Sequence, residues 1–264
     1  FSNIHPKTIH NYFTEDLIVW FTPAREFFSE SIKSGRIPFW NKYILTGAEF
    51  IAEPQVGYFN PIYLLSYLLF DHFTAHSIIL IVFFFLCIFG SFKLSRYWGM
   101  DIYASLLVSL VYAFNPYMVV WFGYEHTIMN FAIIPFLFLA YEKCLKNVRI
   151  LNLDLISCSL LFGILLLSGH LQVVYYSILF FLFYGIFQFL IDPKILKEKI
   201  FQHGLSLAFI LFFGFTMGGI VLFHFFPTLS DSHRLPMSYD LLKSNCVSLS
   251  ALKGLIYPYY KGKY

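Results

Sequence analysis

Apolar residues run in long unbroken stretches through most of this chain, at approximately 74–94, 102–122, 127–143, 152–168, 172–191 and 203–226. About 20 apolar residues are needed to cross a bilayer as a helix, so the pattern predicts six spanning helices. The links between them alternate in charge. "KLSRYWGMD" carries Lys93 and Arg96, "KCLKNVR" carries Lys143, Lys146 and Arg149, and "DPKILKEK" carries Lys194, Lys197 and Lys199. The links "GYEHT" and "SGHLQ" carry neither Lys nor Arg. Basic loops stay in the cytoplasm. The 1–60 segment, Glu125, His126, His170 and the C-terminal tail are therefore expected together on the outer face.

Residues 1–60 follow a different pattern, mixed and polar, with five Lys or Arg set against six Asp or Glu. Within them "TPAREFFSESIKSG" predicts a short amphipathic helix, with Thr22 as its cap, Pro23 in its first turn and Gly35 at its stop. Ala24, Phe27, Phe28 and Ile32 share one face, which is expected to lie on the membrane surface. "IYLLSYLLF" at 62–70 is too short to span and reads as a re-entrant or interfacial piece, or as the lead-in to the next helix. Asn115-Pro116 is expected to distort the second span and Pro135 falls inside the third. Gly214 and Gly218 form a small-xxx-small pair suited to close helix packing. Three regions result: an outer loop over 1–71, a transmembrane bundle over 72–228 and an outer segment over 229–264.

Composition agrees. The chain has 264 residues, of which 58% are hydrophobic and 12% charged. Soluble domains carry about 25% charged residues. With 34 Phe, the side chains cannot all be hidden in a water-soluble core, so lipid is the expected solvent. The net charge of +3 comes with no basic patch interleaved with aromatics, which argues against nucleic acid. Cys87, Cys144, Cys158 and Cys246 show no C-x-x-C spacing and read as buried hydrophobes. The chain opens at Phe1 inside a polar segment and ends on "YYKGKY". A fragment is expected, with one helix before it and more after it.

Candidate chemistry lies on the expected outer face. Asp16, beside Glu15, precedes "LIVWFTP". A carboxylate there binds a divalent cation or takes a proton from an acceptor hydroxyl; the plain alternative is a solvated acid in a helix's first turn. Glu125 and His126 sit in one outer hairpin, His170 and Gln172 in the next. Ionisable groups at the mouth of a bundle are functional candidates, against the alternative of hairpin residues that face water. His72 and His76, one turn apart, suit a metal or an interfacial polar edge. His203 and His224 flank the last span and read as satisfied locally. Arg234 offers a two-pronged phosphate contact or a headgroup anchor. P-loop, dinucleotide, G-x-S-x-G and H-E-x-x-H patterns are missing from the sequence, so ATP and serine hydrolysis have no support.

Several spaced motifs resemble those of the bacterial YfhO-like membrane proteins. Asp16 and Pro23 are followed by Gly35-Arg36-Ile37-Pro38-Phe39-Trp40-Asn41 and by Pro54-Gln55-Val56-Gly57-Tyr58-Phe59-Asn60-Pro61. "SGHLQVVYY", with His170, Gln172 and Tyr176, is similar to that family's G-H-x-Q-x-x-x-Y turn, and "LSDSHR", ending at Arg234, to its post-helix element. The resemblance implies an all-α integral membrane protein: a multi-helix GT-C-like bundle with a structured first outer loop.

It further implies an inverting glycosyltransferase of the hexosyltransferase class in the bacterial cytoplasmic membrane. Its donor would be a polyprenyl-phosphate-linked sugar, its acceptor a cell-surface polymer such as teichoic acid, and its active face extracytoplasmic. Asp16 matches the family's loop acid and becomes the expected catalytic base. Trp40, Glu53, Gln55, Glu125, His126, His170, Gln172 and Arg234 become expected substrate contacts. A divalent cation, Mg or Mn, with Asp16 as a ligand, is the cofactor such a site would take, beside the option of none. A lipid-linked sugar flippase and a non-catalytic scaffold share the same outline. A transferase alone needs Asp16 at an acceptor hydroxyl.

Overall fold

The structure, a computed structural model, describes residues 16–44, 46–146, 152–191 and 193–230 together with 239, 243, 253 and 257. Its contacts divide the chain into Phe1–Pro227 and Thr228–Tyr264. The architecture below is that of the first unit. Nine helices and one small hairpin are described in chain order: α1 (Thr22–Lys33), β1 (Trp40–Asn41), β2 (Ala48–Glu49), α2 (Pro61–Leu69), α3 (His72–Tyr97), α4 (Ile102–Ala113), α5 (Pro116–Val120), α6 (Glu125–Lys146), α7 (Leu153–Leu167), α8 (Leu171–Ile191) and α9 (Pro193–Ser230).

Short polar side chains set where these helices begin. The carboxylates of Asp71 and Asp101 and the amide oxygens of Asn60, Asn115 and Asn152 accept backbone N–H bonds from the first turns of α3, α4, α2, α5 and α7. Each supplies an acceptor to donors that have no partner inside the helix. Asp71 therefore separates α2 from α3, and 62–70 is a helix of its own, not a lead-in. Thr22 behaves differently from expectation. A π-helical turn over Leu17–Phe21 runs straight into α1, and the Thr22 hydroxyl donates back to the Leu17 carbonyl at 2.8 Å. The cap is not needed because the helix does not start there. Its stop is as expected, at Gly35 with φ +69°, where the Arg36 N–H returns to the Ser31 carbonyl at 2.9 Å.

Asn115-Pro116 does more than distort the second apolar stretch. Asn115 leaves the helix, its side chain caps α5, and its amide donates to the Tyr112 carbonyl at 2.6 Å. The stretch 102–122 thus becomes two helices of 12 and 5 residues. Pro135, in contrast, leaves α6 unbroken. Proline has no N–H to offer the carbonyl four residues back, and here the Tyr112 hydroxyl of α4 donates to that Phe131 carbonyl at 3.0 Å.

Among the described residues three helices are long and apolar enough to cross a membrane, over His72–Tyr97, Glu125–Leu145 and Gly204–Thr228; α4, α7 and the Leu171–Tyr184 part of α8 are apolar but shorter. The sequence expected six. On α3 and α4 large apolar side chains such as Phe85, Leu107 and Val111 are each more than 60% exposed, a surface suited to lipid and unsuited to water. α3 lies parallel to α6, with His76 beside Glu125 at one end and Gly90 against Phe136 further along. α7 returns antiparallel, with Ser168 bonded to Asn130 and Cys158 facing Leu137.

α9 packs on α7 through its glycines, as the small-xxx-small spacing predicts. A Cβ at Gly214 would overlap Phe162 and one at Gly218 would overlap Leu166, while Gly219 faces open space. Gly218→Val is expected to lower the unfolding midpoint in detergent by about 3–10 °C, from an overpacking cost of about 1–3 kcal/mol. Gly219→Val provides the matched control and is expected to leave the midpoint in place.

The outer loop packs onto this bundle as part of the same unit. The apolar face of α1 does not lie on a membrane surface. Ala24 and Phe28 are fully buried, with Phe27 and Ile32 packed against the same core. Phe28 meets Tyr58 and Tyr67 edge-on at 5.4 and 5.5 Å. The loop's own aromatic residues cover that face.

Candidate functional site

Four described elements meet at the end of the bundle where α3 and α6 begin. α1 contributes Arg25, on the same helical face as Phe21, Phe28 and Ile32. α6 contributes Glu125 in its first turn. Arg25 Nη2 and Glu125 Oε2 are 2.7 Å apart, and both side chains are almost completely buried. Arg25 Nη1 also donates to the Val56 carbonyl, and its guanidinium lies 4.5 Å over the Tyr63 ring and 5.4 Å from that of Tyr67. Glu125 Oε1 accepts from the Tyr67 hydroxyl and lies 2.9 Å from His76 Nδ1.

Electrostatics keep this cluster charged at its centre. Burial works against the Arg25 charge, but the Glu125 carboxylate and, more weakly, the tyrosines leave its pKa raised. Burial first, then Glu125, pushes the Tyr63 and Tyr67 phenols up, so both remain donors. The Glu125 carboxylate thus faces Arg25, Tyr67 and His76. Burial excludes a water-facing hairpin: Glu125 is 3% and His126 is 4% exposed. His72 and His76 line a void of about 30 Å³ beside Glu125, room for little more than a water molecule.

The expected catalytic acid lies next to this cluster. Asp16 is exposed at the start of the π-helical turn. Leu17 packs against Gly123, where a Cβ would approach its side chain to 2.8 Å. The Leu17 N–H reaches the Tyr124 hydroxyl, and the Tyr124 phenol is pushed up by burial and then by the nearby Asp16 carboxylate. Phe21 meets Tyr124 at 5.3 Å and His126 at 5.2 Å. His126 in turn lies 5.0 Å from His170, ring centre to ring centre. The fold thus links Tyr124, His126 and His170 in one chain of ring contacts, and the Asp16 carboxylate acts on its first member through charge. Burial holds the His170 imidazole below its ordinary value, so it is neutral at pH 7.

Beneath the histidines several buried polar atoms have no protein partner: His126 Nδ1, Thr127 Oγ1, Asn130 Nδ2 and His170 Nδ1. Unpaired buried polar groups are costly, and a cluster of them marks a place for water or ligand. His170 and Gln172 also stand at one end of a cavity of about 560 Å³, walled by Tyr112, Tyr117, Phe131, Phe138, Tyr176, Phe180 and Tyr184 and reaching Leu94 and Trp98. Gln172 to Tyr184 along α8 spans about 18 Å at 1.5 Å per residue. Gln172 Nε2 donates to the Tyr176 hydroxyl at 2.8 Å. This apolar trough with one polar end lies between helices far apart in sequence, and spacing alone gave no sign of it.

The remaining expected residues have other places. Glu53 caps the short 3-10 turn Pro54–Val56, accepting from the Gln55 N–H at 3.2 Å. That turn sits directly on Gly169, whose φ is +85° and where any Cβ would overlap the Pro54 carbonyl. Glu53 and Gln55 therefore serve the docking of the loop onto the "SGH" turn. Trp40 lines a different cleft, which shares no lining residue with the trough or the small void. His224 stacks on Phe59 and lies 4.0 Å from Glu49. Cys87, Cys144 and Cys158 are buried. Arg234, Glu15, Cys246 and the side chain of His203 lie outside the described residues.

Arg25, Tyr67, Tyr124, Asn130 and Ser168 were not foreseen. Arg25 alone carried a signal: a cation on the apolar face of an amphipathic helix requires a buried partner. The described residues contain no group of three or more His, Cys, Asp or Glu arranged to hold a metal ion. Asp16 and two histidines make a poor match to the oxygen-rich shell that Mg prefers. No family model, no curated protein and no solved structure matches the chain.

Proposed function

We propose that this chain is part of a membrane glycosyltransferase that moves a sugar from a polyprenyl-phosphate carrier to a cell-surface polymer, of which teichoic acid is one, on the outer face of a bacterial membrane. The observation that carries the reading is an exposed carboxylate, Asp16, close enough to bear on Tyr124, whose ring contacts run through His126 to His170, a residue that lines a long aromatic trough. The YfhO-like motif order supports the same reading, as does the alternation of basic loops.

A lipid-linked donor needs three things from one place. Its chain needs an apolar bed, which the trough between α4, α6 and α8 offers. Its phosphate and sugar need polar groups at the end of that bed, where His170 and Gln172 stand. Its acceptor needs a base open to solvent, and Asp16 is exposed. In the reaction the acceptor hydroxyl attacks the anomeric carbon as its proton passes to the Asp16 carboxylate. The bond from that carbon to the phosphate oxygen breaks, and polyprenyl phosphate leaves with the electron pair. Attack opposite the leaving group inverts the centre. A neutral His170 stabilises the departing oxygen as a hydrogen-bond donor, and no step is assigned to a metal ion.

The test uses membranes that contain the protein and a labelled polyprenyl-phosphate sugar. Label is expected to enter surface polymer with the wild type and to stop with Asp16→Asn at equal protein level, a fall of roughly 10²-fold or more for loss of a general base. Equal transfer by both proteins removes Asp16 as the base and favours a scaffold. Donor that crosses the bilayer without being consumed favours a flippase.

A further inference from the structure

We infer that the cleft between α1 and the β1–β2 hairpin is a second binding site, built for an acidic saccharide chain. The cleft has a volume of about 370 Å³. Phe27, Glu30 and Ser31 form its α1 wall, and residues 36–40 with Lys42 and Tyr43 form the other. It shares no lining residue with the site around Asp16 and His170.

Three observations point to this ligand. The first is the exposure of aromatic rings at the cleft. The loop buries Phe28 and Phe50 almost completely, yet leaves Phe39 53%, Trp40 59% and Tyr43 72% exposed.

The second is rigidity. Trp40 is paired with Glu49 across the hairpin. Its indole rests on Gly47, at φ +111°, so closely that a Cβ there would overlap the ring. Tyr43 is held by its N–H bond to Asn41 Oδ1 at 3.0 Å and by its edge contact with Phe27 at 6.1 Å. Rings fixed before binding lose little entropy when a ligand arrives.

The third is charge. Arg36 and Lys42 line the cleft against one acid, Glu30. Arg36 is oriented by its Nε bond to Ser34 Oγ at 2.9 Å, and Lys42 Nζ lies 5.1 Å from the Tyr43 ring.

A pyranose ring has an apolar face of C–H groups and a polar rim of hydroxyls. The apolar face fits a fixed indole or phenol. The hydroxyls fit Glu30 and Ser31. A carboxylate or phosphate on the chain fits the guanidinium fork and the ammonium. A lipid surface, in contrast, meets a convex aromatic belt, and the cleft is concave. As the acceptor's docking site this inference rests on the transferase reading; as a binding site it stands apart from it.

Full-length protein in detergent micelles is titrated with polygalacturonate as the acidic saccharide, dextran as the neutral one, polyphosphate as the anion without sugar, and phosphatidylglycerol vesicles. Polygalacturonate is expected to bind at least tenfold more tightly than dextran or polyphosphate. Trp40→Ala and Tyr43→Ala are each expected to weaken it by up to about tenfold. Arg36→Gln with Lys42→Gln is expected to reduce it to the level of dextran and to flatten its salt dependence. Two separate aromatic variants guard against one of them misfolding.

Equal binding of polyphosphate overturns the inference in favour of simple charge attraction. Full competition by the vesicles overturns it in favour of a headgroup seat. Variants that fold and bind polygalacturonate like the wild type also overturn it. Asp16→Asn separates the two readings. Lost transfer with unchanged polygalacturonate binding supports both, and unchanged binding with no transfer by the wild type overturns the transferase reading alone.

Discussion

Arg25→Ala is expected to destabilise the protein by about 3–5 kcal/mol, because it leaves Glu125 as a buried carboxylate without its counter-ion. Glu125 is 3% exposed, so water cannot replace the lost guanidinium. Tyr67 and His76 would still contact it, but neither carries Arg25's permanent charge. The effect should spread, because Arg25 also holds the Val56 carbonyl and packs on Tyr63 and Tyr67. One side chain ties α1, the 54–57 turn, α2 and α6 together. Glu125→Ala is expected to be as harmful, since it strands the guanidinium. The double variant Arg25→Met with Glu125→Leu separates charge from packing. Replacing both charges with apolar groups of similar volume is often neutral, so the double variant is expected to recover most of the loss. Thermal unfolding in detergent, with proteolysis of the outer loop as a second readout, measures all four proteins. A double variant no better than either single one would show that the pairing is not what the fold depends on.

Gly169→Ala should be nearly as severe, at about 2–5 kcal/mol, and for a different reason. At φ +85° any Cβ costs about 1–2 kcal/mol in backbone strain. Here the new methyl would also overlap the Pro54 carbonyl, and Gln55 Cα stands 3.0 Å away. Both obstacles are backbone, so no rotamer change relieves them. Overpacking adds about 1–3 kcal/mol, occasionally more. The 54–57 turn must lift from the α7–α8 turn, and the loop shifts relative to His170. Hydrogen exchange at residues 50–58 is expected to accelerate in Gly169→Ala while the centre of α3 stays protected. Unchanged exchange at 50–58 would mean that the loop is not seated on this glycine. Gly99, also at positive φ but with nothing within 4 Å of a Cβ, serves as the comparison. Gly99→Ala should show the strain without the displaced turn.

These two positions also show what could be read in the sequence. The "P-Q-x-G" and "S-G-H" motifs were each visible as strings, and the YfhO-like resemblance ordered them. Their contact was not visible, because a β or coil turn carries no periodicity that names its partner. Side-chain caps at Asp71, Asp101 and Asn115 act within three residues, yet Thr22 was the one cap expected from the sequence. Thr22 misled because the same hydroxyl that caps a helix can also bond back to a carbonyl five residues earlier. Apolar length merged two helices into one expected span for a similar reason. The stretch 102–122 is continuous in hydropathy, but Asn115 supplies a local bond that competes with the helix. The apolar face of α1 was legible and its partner was not. Amphipathicity reports that a face must be covered, but not whether lipid or protein covers it.

By itself the sequence determined the helical class, the apolar exterior, the glycine contacts of α9 and the position of Asp16 ahead of α1. Each of these follows from residues within a few positions of one another, or from composition summed over a stretch. Only the tertiary structure decided that Glu125 is spent on Arg25, that Asp16, Tyr124, His126 and His170 share one end of the bundle, and that an aromatic trough begins at His170. Those depend on which helix faces which. That choice is made by buried charge pairing, close glycine contacts and side-chain volume across separations of 30 to 150 residues, where no local pattern in the chain can carry it.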